Sequence, residues 1–226
     1  MWVNDMINVL EEYISRSLPE CGAFVTNSNL IKKVNNKGAF LPFYGNTVVF
    51  DLDEAAKKAL LSLQEELYKN AGWMLSQRID PATFHMTLHD LVNAPELTDD
   101  LKCRMQEAEV KAKSIMETWK GQTPLRMKAT WLFNMVNTSI VLGLAPADEE
   151  SWHQLDEMYT TLESVVHLGY ALTPHITMAY FMPGTYTQYD LNCLRRAMRP
   201  VELEVELRVE DLHYQVFQNM NHYENK

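Results

Sequence analysis

The alternation of hydrophobic and polar positions divides most of the chain into strands and helices. β-Branched residues favour a strand over 47–52, and Asp53 is placed to cap the helix that follows, which ends near Gly72. The same signals predict further strands over 73–79, 84–91, 125–135, 139–144 and 173–182, and a final hairpin of 201–209 and 212–218. They predict further helices over 97–119, 148–166 and 189–198. Because paired strands occur among the helices, the pattern favours an α+β fold with antiparallel sheets over a doubly wound parallel fold.

The first 46 residues are less regular. Apolar positions at helical spacing predict a short amphipathic helix there, built on Met6, Val9, Leu10, Tyr13 and Ile14. Glycines and prolines then indicate a looping segment, whose basic cluster comprises Lys32, Lys33 and Lys37. These lysines form either a solvated surface or a phosphate-attracting flap over a site. The sequence thus predicts an N-terminal helix and looping extension over 1–46 and a main domain over 47–226.

Composition and charge narrow the classes of partner. The chain of 226 residues has room for one large domain or two small lobes with a shared core. Its formal net charge of -10 opposes binding to a long nucleic-acid duplex but leaves room for a small nucleotide in a local pocket. Three cysteines without a Cys-x-x-Cys pair fit a reducing compartment. The sequence shows neither a signal peptide nor an apolar run long enough for a membrane span, so we expect a cytoplasmic protein that does not bind membranes.

Two short segments, one in each half of the chain, carry the same chemical pattern. His85-Met-Thr87 is followed by leucine and His175-Ile-Thr177 by methionine, and both lie in predicted strands. In a strand, residues i and i+2 project from the same face, so each histidine points the same way as its threonine. If the two halves pack as pseudo-symmetric lobes, two imidazoles and two hydroxyls face one groove.

This set of side chains suits acid–base chemistry on a phosphodiester. One imidazole can be a neutral base while the other is a cationic acid, and threonine hydroxyls can bind phosphate oxygens. The chain shows no Gly-rich phosphate loop, no His-Glu-x-x-His and no Gly-x-Ser-x-Gly. We therefore expect neither a metal nor another cofactor. The structural alternative is that both histidines are partly buried sheet residues with satisfied hydrogen bonds.

The duplicated motif resembles the signature of the two-histidine (2H) phosphoesterase superfamily, which contains 2′-5′ RNA ligase-like proteins and cyclic nucleotide phosphodiesterases. The resemblance implies a bilobal, pseudo-two-fold duplicated α+β fold in which antiparallel sheets line a central cleft and helices lie outside. The lobes would span about 47–120 and 121–226 and could exchange strands. It also implies metal-free cleavage of 2′,3′-cyclic or related phosphodiesters. In that case His85 and His175 are the acid–base pair, and Thr87 and Thr177 bind the phosphate. The segment 38–47 is similar to a bacterial subgroup of this superfamily.

Several other side chains are weaker candidates. His89 is four residues past His85, so in an unbroken strand it shares that face and lies toward the rim of the cleft. Aromatic residues that could stack on a nucleobase are Tyr44, Trp131, Phe133, Tyr180 and Phe181. Of these, we take Tyr44 and Tyr180 as candidate substrate-binding residues. The other histidines are expected to be structural or exposed: His153, His167, His213 and His222.

Three functions fit the sequence. The first is hydrolysis of a cyclic phosphate or another small nucleotide or RNA-end phosphodiester. The second is 2′-5′ ligation of RNA ends. The net charge of -10 argues mildly against a long RNA as its substrate. The third is a non-catalytic module that binds a nucleotide or an RNA end, and a pure binder would not need an acid–base pair.

Overall fold

The computed structural model describes residues 17–226. The predicted helix at the N-terminus lies outside the described residues. Within them, the segment before the first long strand forms a 3₁₀ turn over Ser28–Lys32 and loops, as the distribution of glycine and proline predicts.

The described residues form four α-helices and ten strands. The helices are α1 (Glu54–Ala71), α2 (Asp99–Glu117), α3 (Glu149–Leu162) and α4 (Gln188–Ala197). The long strands are β2 (Tyr44–Asp51), β3 (His85–Ala94), β4 (Leu125–Met135), β5 (Ser139–Pro146), β6 (His175–Tyr180) and β9 (Leu212–Asn219). The short strands are β1 (Phe24–Val25), β7 (Thr185–Tyr186), β8 (Glu204–Leu207) and β10 (His222–Asn225).

Eight of these strands form one curled antiparallel sheet in the order β10-β9-β2-β3-β6-β5-β4-β8. The sheet consists of two four-stranded halves that meet where β3 and β6 run side by side. The two halves are joined there at a single residue pair, Met86 with Ile176. β1 and β7 form a separate two-stranded ribbon. The predicted α+β class with antiparallel pairing is confirmed, in the form of one continuous sheet.

The chain repeats one unit around this junction. β2-α1-β3-α2 in the first half corresponds to β5-α3-β6-α4 in the second, and each unit carries its His-x-Thr motif on its second strand. The helices cross between halves, because α1 packs on α4 and reaches β6, while α3 packs on α2 and reaches β3. The buried Gln64 of α1 donates from Nε2 to the Met178 carbonyl at 3.1 Å. These contacts hold the two halves of the sheet together.

The predicted hairpin of 201–209 and 212–218 is wrong. β8 pairs with β4 at one edge of the sheet, whereas β9 pairs with β2 in the other half and is followed by β10. β2 has fully buried residues on both faces, and without β9 its outer row of backbone hydrogen-bonding groups would be left unpaired. The C-terminal strands therefore complete the half of the sheet that the N-terminal strands begin.

The predicted strand over 73–79 is also wrong. The chain forms a 3₁₀ turn over Gly72–Met74, after which Leu75 makes only an isolated bridge to Phe181. The apolar signal arose because Met74, Leu75 and Ile79 are buried in the core without lying in a strand. The cap of α1 is confirmed, since the Asp53 carboxylate accepts a hydrogen bond from the Ala56 amide at 2.7 Å.

Candidate active site

The two His-x-Thr motifs meet at the centre of the sheet and line one cavity of about 620 Å³. Met86 and Ile176, the paired residues between the motif positions, are fully buried in the core. The flanking side chains on the other face all line the cavity: His85, Thr87, His175 and Thr177. The prediction that the two strands lie side by side, with both motifs facing one cleft, is confirmed.

The register of the two strands determines how these four side chains are arranged. With Met86 opposite Ile176, His85 lies opposite Thr177 and Thr87 lies opposite His175. Directly opposed residues of an antiparallel pair have Cβ atoms about 4.5–5.5 Å apart, and diagonal neighbours about 7–8 Å. The two histidines are the diagonal neighbours, so we expect their rings to lie far enough apart to admit a group the size of a phosphate.

Both imidazoles are held by the same local hydrogen bond. The Nδ1–H of His85 donates to the Thr83 carbonyl at 2.8 Å, and that of His175 donates to the Thr173 carbonyl at 2.7 Å. This bond places the proton of the neutral ring on Nδ1 and leaves Nε2 as a free acceptor. Both residues are partly exposed, so a ligand in the cavity can reach Nε2.

The environment favours the neutral form of both rings. Burial lowers the pKa of His85. The hydrogen bond to the Thr83 carbonyl and the charges of Asp90 and Asp51 offset part of this decrease. Burial likewise lowers the pKa of His175, with the bond to Thr173 and the charge of Asp90 acting in the opposite direction. A bound anion would favour the protonated form of a neighbouring imidazole. Phosphate binding can therefore produce the one cationic ring that an acid–base pair requires.

A β-bulge follows each motif at the same place. In β3, Val49 pairs with Thr87 and Val48 pairs with His89, so Leu88 is the extra residue. In β6, Met178 is the extra residue, since the partners of Thr177 and Ala179 are consecutive in β5. A bulge breaks the alternation of faces, and the residue five positions after each histidine then lines the cavity. In β3 that residue is Asp90, and in β6 it is Tyr180.

The bulge in β3 corrects the expected place of His89. The expectation assumed an unbroken strand with His89 at the rim, whereas its side chain is almost fully buried at 1% exposure. His89 borders the cavity, but its Nε2 lies 3.0 Å from a Glu163 carboxylate oxygen and its ring packs 5.2 Å from that of Tyr159.

Glu163 connects His89 to the cavity wall. Its carboxylate also accepts hydrogen bonds from the amides of Leu168 and Gly169, and it lies 2.7 Å from Nδ1 of His167. Burial alone would raise the pKa of this carboxyl, but these hydrogen bonds lower it to about 2. The bonds fix the start of the segment 168–173, which forms one wall of the cavity.

Aromatic rings and one lysine border the cavity. The Tyr223 ring contacts the His85 ring edge-on, with centroids 5.0 Å apart. The Nζ atom of Lys33 lies over the rings of Phe43 and Tyr180, at 4.9 and 5.9 Å from their centroids. Burial lowers the pKa of Lys33, and the charge of Asp90 acts against that shift. Of the predicted basic cluster, Lys33 lines the cavity, whereas Lys32 and Lys37 are exposed.

The structure brings together some of the aromatic candidates and not others. Tyr180 lines the cavity, and Tyr44 does not. Tyr44 pairs with Ala94 at the far end of β3, whereas the residue that pairs with His85 is at the other end of β2. The remaining aromatic candidates also lie outside the lining: Trp131, Phe133 and Phe181. Lining aromatics that sequence reasoning missed are Tyr159, Tyr170, Phe217 and Tyr223.

Within residues 17–226, no group of three or more His, Cys, Asp or Glu side chains is arranged to hold a metal ion. Over the same range, none of the helices combines the length and the apolar character that crossing a membrane requires.

Comparison with known proteins bears on the family and the fold. Residues 33–135 match the family model described as "2H-phosphodiest: Domain of unknown function (DUF1868)". The match includes the first motif and ends before the second. No curated protein matches the chain.

Solved structures share the fold over most of the chain. A conserved protein of unknown function from Agrobacterium tumefaciens, ATU0111, matches with a TM-score of 0.63 and 17% identity, covering 96% of this chain and 97% of that one. TT0787 of Thermus thermophilus matches with a TM-score of 0.51 and 13% identity, covering 80% and 94%. LigT of E. coli in its apo form matches with a TM-score of 0.50 and 10% identity, covering 81% and 95%. At these sequence identities, the likeness shows a shared fold and nothing more.

Proposed function

We propose that this chain, which belongs to the 2H phosphoesterase superfamily, is a metal-independent phosphodiesterase that hydrolyses a 2′,3′-cyclic phosphate or a related small nucleotide or RNA-end phosphodiester. One observation carries the proposal. Two imidazoles, each held through Nδ1 by a backbone carbonyl, leave their Nε2 atoms free toward the same cavity. Two free ring nitrogens that face one cavity suit general acid–base catalysis.

The reaction uses the two rings in opposite protonation states. The neutral imidazole removes a proton from water as the water oxygen attacks phosphorus. The protonated imidazole donates its proton to the ribose oxygen as the bond from that oxygen to phosphorus breaks. The cyclic diester becomes a ring-opened monoester, and a proton has passed from water to the leaving oxygen. Either His85 or His175 can be the base, since their local hydrogen bonds are equivalent.

The remaining lining residues suit a small anionic substrate. The hydroxyls of Thr87 and Thr177 can donate to the two non-bridging phosphate oxygens, and Lys33 supplies a positive charge. Tyr180 and Tyr223 offer aromatic surface for a nucleobase. A volume of about 620 Å³ is within the usual range for small-molecule sites. These features favour a mononucleotide or an RNA end over a long duplex.

Two alternatives use the same cavity. Ligation of 2′-5′ RNA ends would run the acid–base pair in the opposite direction, and a non-catalytic module would bind the same ligand without turnover. The paired free Nε2 atoms favour catalysis over binding alone, and the net charge of -10 favours a small substrate. We place the reaction in the cytoplasm, since the three cysteines are free thiols.

The proposal is tested by incubating the purified protein with each of the four 2′,3′-cyclic mononucleotides in the presence of EDTA. We expect a nucleoside monophosphate to form, detected by chromatography or phosphorus NMR, because the reaction needs only the side chains described. Two results would count against it: no turnover of any of the four, or turnover that EDTA abolishes and a divalent ion restores.

The pH dependence of kcat/KM should be bell-shaped, because one histidine must be neutral and the other protonated. Burial lowers the pKa of both rings, so the protonated partner is lost as pH rises through values below the ordinary histidine range. We therefore expect an optimum on the acid side of neutrality, with two limbs that belong to the pair. A flat profile from about pH 5 to 9, with chemistry shown to limit the rate, would exclude a titrating pair.

A further inference from the structure

We propose that Asp90 is a specificity residue that discriminates against phosphomonoesters with two negative charges, so that the cavity retains a singly charged diester and releases its doubly charged product. This inference rests on the proposed hydrolysis, because it concerns how that reaction's substrate and product are distinguished. It assigns a role to Asp90, which lies at a position where the two halves of the site differ in charge.

The position of Asp90 follows from the two bulges. In each half the histidine, the threonine and the extra residue occupy corresponding places, and so do Asp90 and Tyr180. Their strand partners correspond as well, since Asp90 pairs with Thr47 and Tyr180 pairs with Ser139. The site is thus symmetric in its histidines and threonines, but it presents a carboxylate in one half and a phenol in the other.

The Asp90 carboxylate is not engaged elsewhere. Within residues 17–226 its side chain makes no hydrogen bond and no ion pair, although it lines the cavity. Among the lining residues of this described range it is the only Asp or Glu, and Lys33 is the only Lys or Arg. Its negative charge acts to raise the pKa of Lys33, of both motif histidines, and of Tyr180 and Tyr223. A free carboxylate in an anion site weakens binding of every anion, because it adds an unfavourable free energy that is proportional to the anion's charge.

The proposed reaction changes the charge of the ligand. A cyclic phosphodiester carries one negative charge, whereas a monoester has a second pKa near 6 and carries nearly two at pH 8. The second charge interacts unfavourably with Asp90 across the cavity. For two unit charges about 8 Å apart in an effective dielectric constant between about 20 and 80, Coulomb's law gives a weakening of monoester binding that is roughly 2- to 30-fold larger than that of diester binding.

The test compares two nearly isosteric ligands at pH 8, a nucleoside 3′-monophosphate and its methyl ester, by titration calorimetry on the full chain. In the wild type we expect the monoester to bind more weakly, relative to the methyl ester, than in Asp90→Asn. The ratio of the two dissociation constants should change by on the order of fivefold in Asp90→Asn. Asp90→Glu restores the charge and should keep the wild-type ratio.

Asp100→Asn is the matched control, because it removes the same charge from an exposed position on α2. It should leave the ratio unchanged. An unchanged ratio in Asp90→Asn, or failure of the wild type to bind either ligand, would overturn the role of Asp90. This outcome is separate from the fate of the proposed hydrolysis, because it is a ratio of two dissociation constants, whereas hydrolysis is judged by turnover of the 2′,3′-cyclic nucleotides alone.

Discussion

Replacing His85 or His175 by alanine is expected to lower kcat/KM for a 2′,3′-cyclic nucleotide by about 10²- to 10⁴-fold, the usual contribution of a positioned general acid or base. Each ring is partly exposed at the cavity, so its removal should cost little in folding free energy. The measurement is initial-rate kinetics of each variant, alongside its thermal unfolding midpoint. A thermal midpoint close to that of the wild type would assign the loss to chemistry.

Two further variants sharpen this prediction. His153→Ala is the matched control, because His153 is exposed on α3 and does not line the cavity. It should retain wild-type kinetics. The double variant lacking both cavity imidazoles should lose less than the product of the two single effects, since the pair acts as a unit. Wild-type turnover in either single cavity variant would remove that histidine from the mechanism.

Replacing Thr87 or Thr177 by valine is expected to weaken catalysis by about 1.5–3 kcal/mol, which is roughly 10- to 150-fold in kcat/KM. Valine keeps the shape and strand preference of threonine but removes the hydroxyl. The loss has this size because the partner is a charged phosphate oxygen, and hydrogen bonds to charged groups are stronger than neutral ones.

The comparison variant is Thr123→Val, at an exposed position between α2 and β4. It should leave kcat/KM unchanged, and all three variants should unfold at similar temperatures. If both cavity variants keep wild-type kinetics, the threonine hydroxyls do not bind the reacting phosphate.

The sequence predicted the central part of the site because that part depends on local geometry. The period of two in a strand places His85 with Thr87 and His175 with Thr177, whatever the rest of the fold does. The duplication then predicts that the two strands meet. Helix caps are equally local, which is why Asp53 was assigned correctly.

The sequence did not predict the two bulges. The sequences of β3 and β6 contain no residue typical of a bulge, because the extra residues, Leu88 and Met178, are ordinary strand residues that are buried in the core. A slip of one residue exchanges the faces of everything that follows. For that reason His89 was expected to share the face of His85, and Asp90 was not considered.

The remaining differences come from long-range pairing. The placement of β9 beside β2 joins residues from opposite ends of the chain, and the pattern along either strand does not specify its partner. That pairing, together with β10, brings Tyr223 against His85. Short apolar runs such as 73–79 are ambiguous in a similar way, because burial alone does not require a strand.

The central claim is that one phosphate is shared by both imidazoles, and a crystal structure of the full chain with inorganic phosphate tests it most directly. We expect a single phosphate in the cavity, with oxygens about 2.7–3.0 Å from Nε2 of His85 and of His175. The hydroxyls of Thr87 and Thr177 should lie within hydrogen-bond distance of the same ion. A phosphate bound to one histidine alone, or two Nε2 atoms more than about 12 Å apart, would contradict the two-histidine mechanism.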